Sequence, residues 1–336
     1  MYKALRVKSL MVKTKKLLAV VIAIFTVALQ PAIATNTLSL TVATNKKQYS
    51  PGDVVYVSGS LTWVPNMIPV TDGLVGVEIT NPTSLPFIYR TRPTGNATTQ
   101  NWVVNFTQFY PCDSSGNPTY SFQTREDIFV HVEIRNFDQF STYFVRPSVV
   151  LCDANSVPMI ASSPSGYALQ PNSSMAVFFE LITIPSSTTP GNATLYGSVF
   201  SDYPMNGGYP YCPEQTATIT ITTGTSGSPL EPGSDGTYNL SFKFPTSGMR
   251  VGNYTVYVNT YYYNTLVTSN TTFTLRLIGD INSDGVVNIL DAISLSNAFD
   301  SRPGDPKWYF AADITGDGVV NILDAITLSN NFGLGG

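Results

Sequence analysis

The chain of 336 residues has one histidine, His131, and three cysteines, Cys112, Cys152 and Cys212. A single imidazole excludes a zinc site built from several histidines. It also excludes a nucleophile–base–acid triad unless His131 takes part. His131 lies on the polar side of an alternating stretch, residues 128–134, beside Glu133 and Arg135, and reads as a solvated strand residue. There is no Cys-x-x-Cys pair and no glycine-rich phosphate loop. Charge is scarce as well. Only 12% of residues are charged and the formal net charge is −4, so no basic footprint marks a nucleic acid or an anionic membrane as partner. In contrast, 25 Gly, 23 Pro and 19 Tyr accompany a 43% hydrophobic composition, a balance that suits turn-rich β modules.

The N-terminus reads as a targeting segment. Lys13, Lys15 and Lys16 precede an apolar run over residues 17–29, and Ala32-Ile33-Ala34 offers a cleavage site. The run is well short of the ~20 residues a membrane span needs. Residues 1–34 are therefore expected to be a signal peptide, an uncleaved anchor being the alternative. After cleavage no membrane insertion is expected, and the mature protein should be secreted or held at the cell surface. Asn-x-Ser/Thr triplets at Asn96, Asn105, Asn172, Asn192, Asn239, Asn253 and Asn270 are glycan acceptors only in a host with that machinery.

Next come short alternating runs separated by turn residues. The opening, with Tyr49, Pro51, Gly52, Asp53 and Gly59 between two strands, resembles the first half of Ig-like or macroglobulin-type sandwiches. Its closing hairpin marks, Gly236-Thr-Tyr238 and Gly252-Asn-Tyr254, occur far downstream. Residues 35–120 plus 224–277 are expected to form one discontinuous Ig-like sandwich. Residues 121–223 are then an inserted second one, with three tandem units as the alternative.

Three cysteines leave one unpaired in a monomer. A Cys112–Cys212 bridge would tie the two junctions of the inserted unit, and Cys152–Cys212 is the next pairing. The carboxylates are scattered. Asp202 and Glu214 flank a tyrosine-rich loop, a conceivable hydrolytic surface that reads more simply as structure. Tyr261-Tyr262-Tyr263 either stack on sugar rings or cover a sheet edge.

The most specific signal is at the C-terminal end. Asp280, Asn282, Asp284, Val286, Asn288 and Asp291 recur 33 residues later as Asp313, Thr315, Asp317, Val319, Asn321 and Asp324, and residues 284–293 and 317–326 are identical. Oxygen donors fall at loop positions 1, 3, 5, 9 and 12, with glycine at position 6 and a backbone carbonyl ligand at position 7. This is the ligand order of an EF-hand calcium loop. Two Ca²⁺ ions are expected. An apolar helical pattern follows each loop, and no helix precedes it.

A duplicated loop–helix unit with a Pro-containing link, residues 301–306, resembles a dockerin domain, taken here as residues 278–336. The resemblance implies a calcium-folded module that plugs into a cohesin-type partner. Loop positions 10 and 11, which in many dockerins are hydroxylic or charged, are here Ile289-Leu290 and Ile322-Leu323. These pairs are either an apolar docking patch or internal core. Because both copies carry the same pair, a partner could engage either.

The fold class expected is thus mainly β, Ig-like sandwiches followed by a small α-helical EF-hand-type domain. The function expected is a non-catalytic surface, scaffold or adhesion protein that docks to a cohesin. An accessory subunit binding a polysaccharide or surface glycan in a cellulosome-like assembly is the alternative, and a glycoside hydrolase ranks third.

Overall fold

In the computed structural model, residues 37–95, 101–185, 188–222, 236–245 and 249–335 are described. The expected signal peptide, residues 1–34, the Asn96 triplet and the start of segment 224–277 lie outside the described residues.

The protein is mainly β with two short helices near its C-terminus. The first strands are β1 (Thr37–Leu40), β2 (Ala43–Thr44), β3 (Gln48–Tyr49), β4 (Val54–Val64), β5 (Ile68–Pro69), β6 (Leu74–Thr80) and β7 (Pro86–Pro93). Next come β8 (Val104–Cys112), β9 (Ser121–Phe122), β10 (Asp127–Asn136), β11 (Tyr143–Cys152), β12 (Pro158–Ser162), β13 (Tyr167–Leu169), β14 (Ser174–Thr183), β15 (Gly191–Phe200) and β16 (Gln215–Ile221). The last three are β17 (Thr237–Lys243), β18 (Gly252–Tyr262) and β19 (Thr265–Leu275).

Strands from both ends of this series share sheets. One sheet runs β1-β4-β17, and Leu240 of β17 lies opposite Val57 of β4. The facing sheet runs β3-β19-β18-β6-β7, and Val258 of β18 lies opposite Val77 of β6. The core between them follows from alternation. Tyr238, Leu240 and Phe242 point inward from β17, and Tyr254, Val256 and Val258 from β18. Each such burial contributes about 1.5–3 kcal/mol.

The strands between β7 and β17 build a second sandwich with its own core. A sheet β14-β10-β8 faces a sheet β12-β11-β15-β16-β9. Ile128, Val130, Val132 and Ile134 of β10 are fully buried against Leu151, Leu195, Val199 and Ile219.

The three thiols are separate and buried, so the expected Cys112–Cys212 bridge does not form. The reason is register. Cys112 ends β8 opposite Phe129, whereas the Cys212 thiol lies against the Phe106 amide on the same strand. At ~3.3 Å per residue the two are roughly 20 Å apart, and a disulfide needs Cα atoms within ~7 Å. The alternative partner, Cys152, ends β11 in a different cluster, with Tyr89, Val150 and Phe200.

That last cluster joins the two sandwiches. Strand β6 is buried along its whole length because the loop after β15 covers its outer face. Met205 N–H donates to Glu78 Oε2 at 2.7 Å, and Asn259 Nδ2 donates to the Gly208 carbonyl at 2.9 Å. Burial pushes the Glu78 carboxyl up to about 7. Between the same two sandwiches, Glu214 accepts from Arg90 Nε at 2.9 Å, Arg90 Nη2 at 2.7 Å, Thr91 N at 3.1 Å and Arg92 Nη1 at 2.9 Å. Burial of Glu214 opposes ionisation, but Arg90 and then Arg92 outweigh it and hold the carboxyl below its ordinary range. The Arg90 guanidinium also lies 3.4 Å over the Tyr196 ring.

Candidate metal centre and docking face

The chain leaves β19 into two loops, each leading into a short helix, α1 (Ile289–Ala298) and α2 (Ile322–Asn330). Leu277, Ile281, Val287, Leu295, Ala298, Ala312, Val320 and Leu328 form the small core between them. The two halves are stitched by backbone bonds at their seams. Asp300 N–H donates to the Val320 carbonyl at 2.8 Å, and Gly333 N–H donates to the Val287 carbonyl at 2.8 Å.

Each loop turns back on itself at a glycine. Gly285 has φ 88° and Gly318 φ 82°, the left-handed region that a Cβ disfavours. The turn brings loop positions 1, 5 and 12 together. In the first loop a carboxylate oxygen from each of Asp280, Asp284 and Asp291 lies within 4.8 Å of the others, the one such acidic triad among the described residues. Burial, reinforced by Asp291, raises the Asp280 carboxyl. The hydrogen bond from Asn282 Nδ2, at 2.8 Å, lowers that of Asp284.

The second loop repeats this backbone pattern. Asp313 Oδ2 accepts from Gly318 N at 2.9 Å, as Asp280 Oδ2 does from Gly285 N at 3.0 Å. Its position-3 residue differs: the Thr315 hydroxyl donates to Asp324 Oδ1 at 3.0 Å. The three acids of the second loop do not form as tight a triad.

Asp291 and Asp324 have a second task that position 12 does not reveal. Both are fully buried. Asp291 Oδ2 accepts from Asn288 N at 2.8 Å while Asn288 Oδ1 accepts from Leu290 N at 2.7 Å, a reciprocal cap on α1. Asn321 and Asp324 cap α2 in the same way, at 2.8 and 2.7 Å. The residue expected to close each loop is therefore also part of the cap on its helix.

The donor set fits calcium. It is all oxygen, with three carboxylates in each loop and no sulfur or imidazole, as a hard divalent cation requires.

Ile289 and Leu290 are 62% and 52% exposed, and Ile322 and Leu323 are 61% and 52% exposed. They are not core of this module. Ile293 and Ile326, one turn on, are half exposed too, so each helix shows an apolar triplet to solvent. The helical repeat in the sequence counts Ile293 and Ile326 with the apolar face. The buried positions are Leu295, Ala298 and Leu328.

The other candidate residues lie in the β-domains. His131 stacks on Tyr110 at 4.7 Å. Asp202 Oδ1 accepts from Arg146 Nε at 2.7 Å, and Glu214 is sealed by its arginines. Tyr261 and Tyr263 are exposed, and the Tyr262 hydroxyl donates to Asp72.

Residues 278–333 match the dockerin type I domain family. The C-terminal part of the chain is thus a dockerin type I domain, preceded by β-rich domains. Dockerin type I domains typically bind calcium, and the Asp280–Asp284–Asp291 triad lies inside this one. A dockerin implies a cohesin partner in an extracellular, cellulosome-like assembly.

No curated protein matches the sequence. Among solved structures, the C-terminal domain of wzt is similar at 8% identity, TM-score 0.31, covering 37% of this chain and 76% of that one. Bacteroides uniformis β-glucuronidase is similar at 8% identity, TM-score 0.28, covering 53% and 27%. Listeria innocua β-glucosidase in complex with isofagomine is similar at 15% identity, TM-score 0.24, covering 38% and 17%. The chain thus spans only a small part of either glycosidase.

Proposed function

We propose that the protein is an exported, non-catalytic docking protein whose tail takes two Ca²⁺ ions and plugs into a cohesin. Asp280, Asn282, Asp284, Asn288 and Asp291, with the Val286 carbonyl, hold one ion. Asp313, Thr315, Asp317, Asn321 and Asp324, with the Val319 carbonyl, hold the other. The observation that carries the reading is the pair of acidic loops, each opening a helix whose first residues are exposed and apolar. Ile289, Leu290, Ile322 and Leu323 form the contact with the partner. Apolar anchors of this kind are worth most when a partner's pocket dries them.

The β-domains serve as spacer and contact surface. A non-catalytic role is supported by what surrounds the candidate acids. Glu78 is fully buried, Glu214 is neutralised by two guanidinium groups, and Asp202 is paired with Arg146.

A cohesin immobilised on a sensor tests the reading. The full chain should bind in CaCl₂ and be released by EGTA. Ile289→Asp combined with Ile322→Asp should weaken binding at least about a hundredfold, the loss of two apolar anchors. Equal binding with and without EGTA, or by the double variant, refutes it.

A carbohydrate-binding role in such an assembly is the second reading. It is favoured by the exposed rings of Tyr261 and Tyr263 at one end of the first sandwich.

A further inference from the structure

The hairpin between β18 and β19 has an unusual tip. Tyr262 pairs with Thr265, leaving Tyr263 and Asn264 as a two-residue turn. Their φ values, 46° and 57°, are both positive, which defines the turn type that prefers Asn, Asp or Gly. Asn264 suits it. Tyr263 does not, because a bulky side chain in the left-handed region is uncommon and carries strain. Tyr263 is also 76% exposed, so burial does not offset that strain. The turn itself does not call for an aromatic ring at this tip.

The ring is one wall of a larger arrangement. Trp63 lies 6.2 Å from both Tyr262 and Tyr263, and Tyr262 and Tyr263 are 4.8 Å apart. Tyr261 stacks on Tyr209 of the second sandwich at 4.5 Å, nearly parallel. Beside these rings is a cavity of about 390 Å³ where the two sandwiches meet, lined by Asp72, Trp102, Pro210, Tyr261, Tyr262 and Tyr263. Asp72 places a carboxylate in the wall and accepts from the Tyr262 hydroxyl. The indole N–H of Trp102 is shielded from solvent and has no hydrogen-bond partner among the described residues.

We propose that this cavity binds a neutral saccharide, which rests on the carbohydrate-binding reading above. Sugar rings present a C–H face that lies on an aromatic ring and an edge of hydroxyls that needs donors and acceptors. The cavity offers both. Tyrosine and tryptophan supply flat faces with polar tips, and Asp72 supplies an acceptor for ligand hydroxyls. No lysine or arginine lines it among the described residues, so a uronate or phosphate finds no counter-charge there. Its volume is in the range of small-ligand sites.

Titration calorimetry of the full calcium-loaded chain tests this. The ligands are cellohexaose, xylohexaose, mannohexaose, a polygalacturonate oligomer and choline, the last because an aromatic wall with a carboxylate also suits an ammonium. Tyr263→Asn suits the turn and should leave the melting temperature unchanged or raised. It should weaken binding of a neutral hexasaccharide about tenfold, whereas Tyr263→Phe retains it within about twofold. If the wild type binds a neutral oligosaccharide and Tyr263→Asn binds it equally, the cavity is the wrong place and the carbohydrate reading survives. If it binds none of the neutral ligands, or only choline or polygalacturonate, both fall.

Discussion

Removing the Glu214 carboxylate should loosen the joint between the two sandwiches. Glu214 accepts four hydrogen bonds, two of them from the Arg90 fork, and its side chain and that of Arg90 are each 9% exposed. In Glu214→Ala both guanidinium groups keep their charge and lose their counter-charge in a desolvated site. Breaking a buried pair on one side costs about 3–5 kcal/mol. For two coupled sandwiches of this size, that corresponds to a fall in melting temperature of about 6–20 °C. Arg92→Ala should cost less, about 1.5–3 kcal/mol for one charged hydrogen bond, because Arg90 still neutralises Glu214. Scanning calorimetry at fixed calcium measures both. The direction with pH follows as well. Because the arginines hold Glu214 below the ordinary carboxylate range, its contribution is present at neutral pH. It is lost only as pH falls through that lowered value. A Glu214→Ala chain that melts within about 1 kcal/mol of the wild type refutes the clasp. Loss of glycan hydrolysis without loss of stability would instead make Glu214 catalytic.

Chelation should melt the tail and spare the sandwiches. Calcium at a hundredfold excess over Kd adds about 2.7 kcal/mol to a folded site, and the tail's core holds only eight buried apolar residues among those described. EGTA should therefore split off a low-temperature transition, and a scan unchanged by EGTA contradicts this. Glu78, with its carboxyl raised to about 7, should make the sandwiches most stable at acidic pH. Stability should decline as pH rises from the ordinary carboxylate range through 7, by at most about 3 kcal/mol. Glu78→Gln should flatten that slope, and a slope unchanged in the variant counts against it. Burial raises the thiols of Cys152 and Cys212 to about 12 and that of Cys112 above its usual value. A thiol reagent should find no reactive cysteine in the native chain and three after denaturation, whereas one after denaturation would restore a disulfide.

The calcium-loop pattern of the tail was legible in the order of its residues alone. Ligand spacing in a calcium loop is a local property: positions 1 to 12 span one turn of chain, and Gly285 and Gly318 bend it whatever surrounds them. Mainly-β composition and alternation were legible for the same reason, since a strand such as β10 carries its inward face in its own order of residues. Contacts between distant residues, in contrast, emerge only on folding. Arg90 and Glu214 are 124 positions apart, and no local signal marks them as partners. Cys112 and Cys212 mark the two junctions of the inserted unit in the sequence, yet register on β8 separates them. Ile289 and Ile322 could equally have been core or docking face. Their exposure follows from how two short helices share a core too small to cover both of their apolar sides.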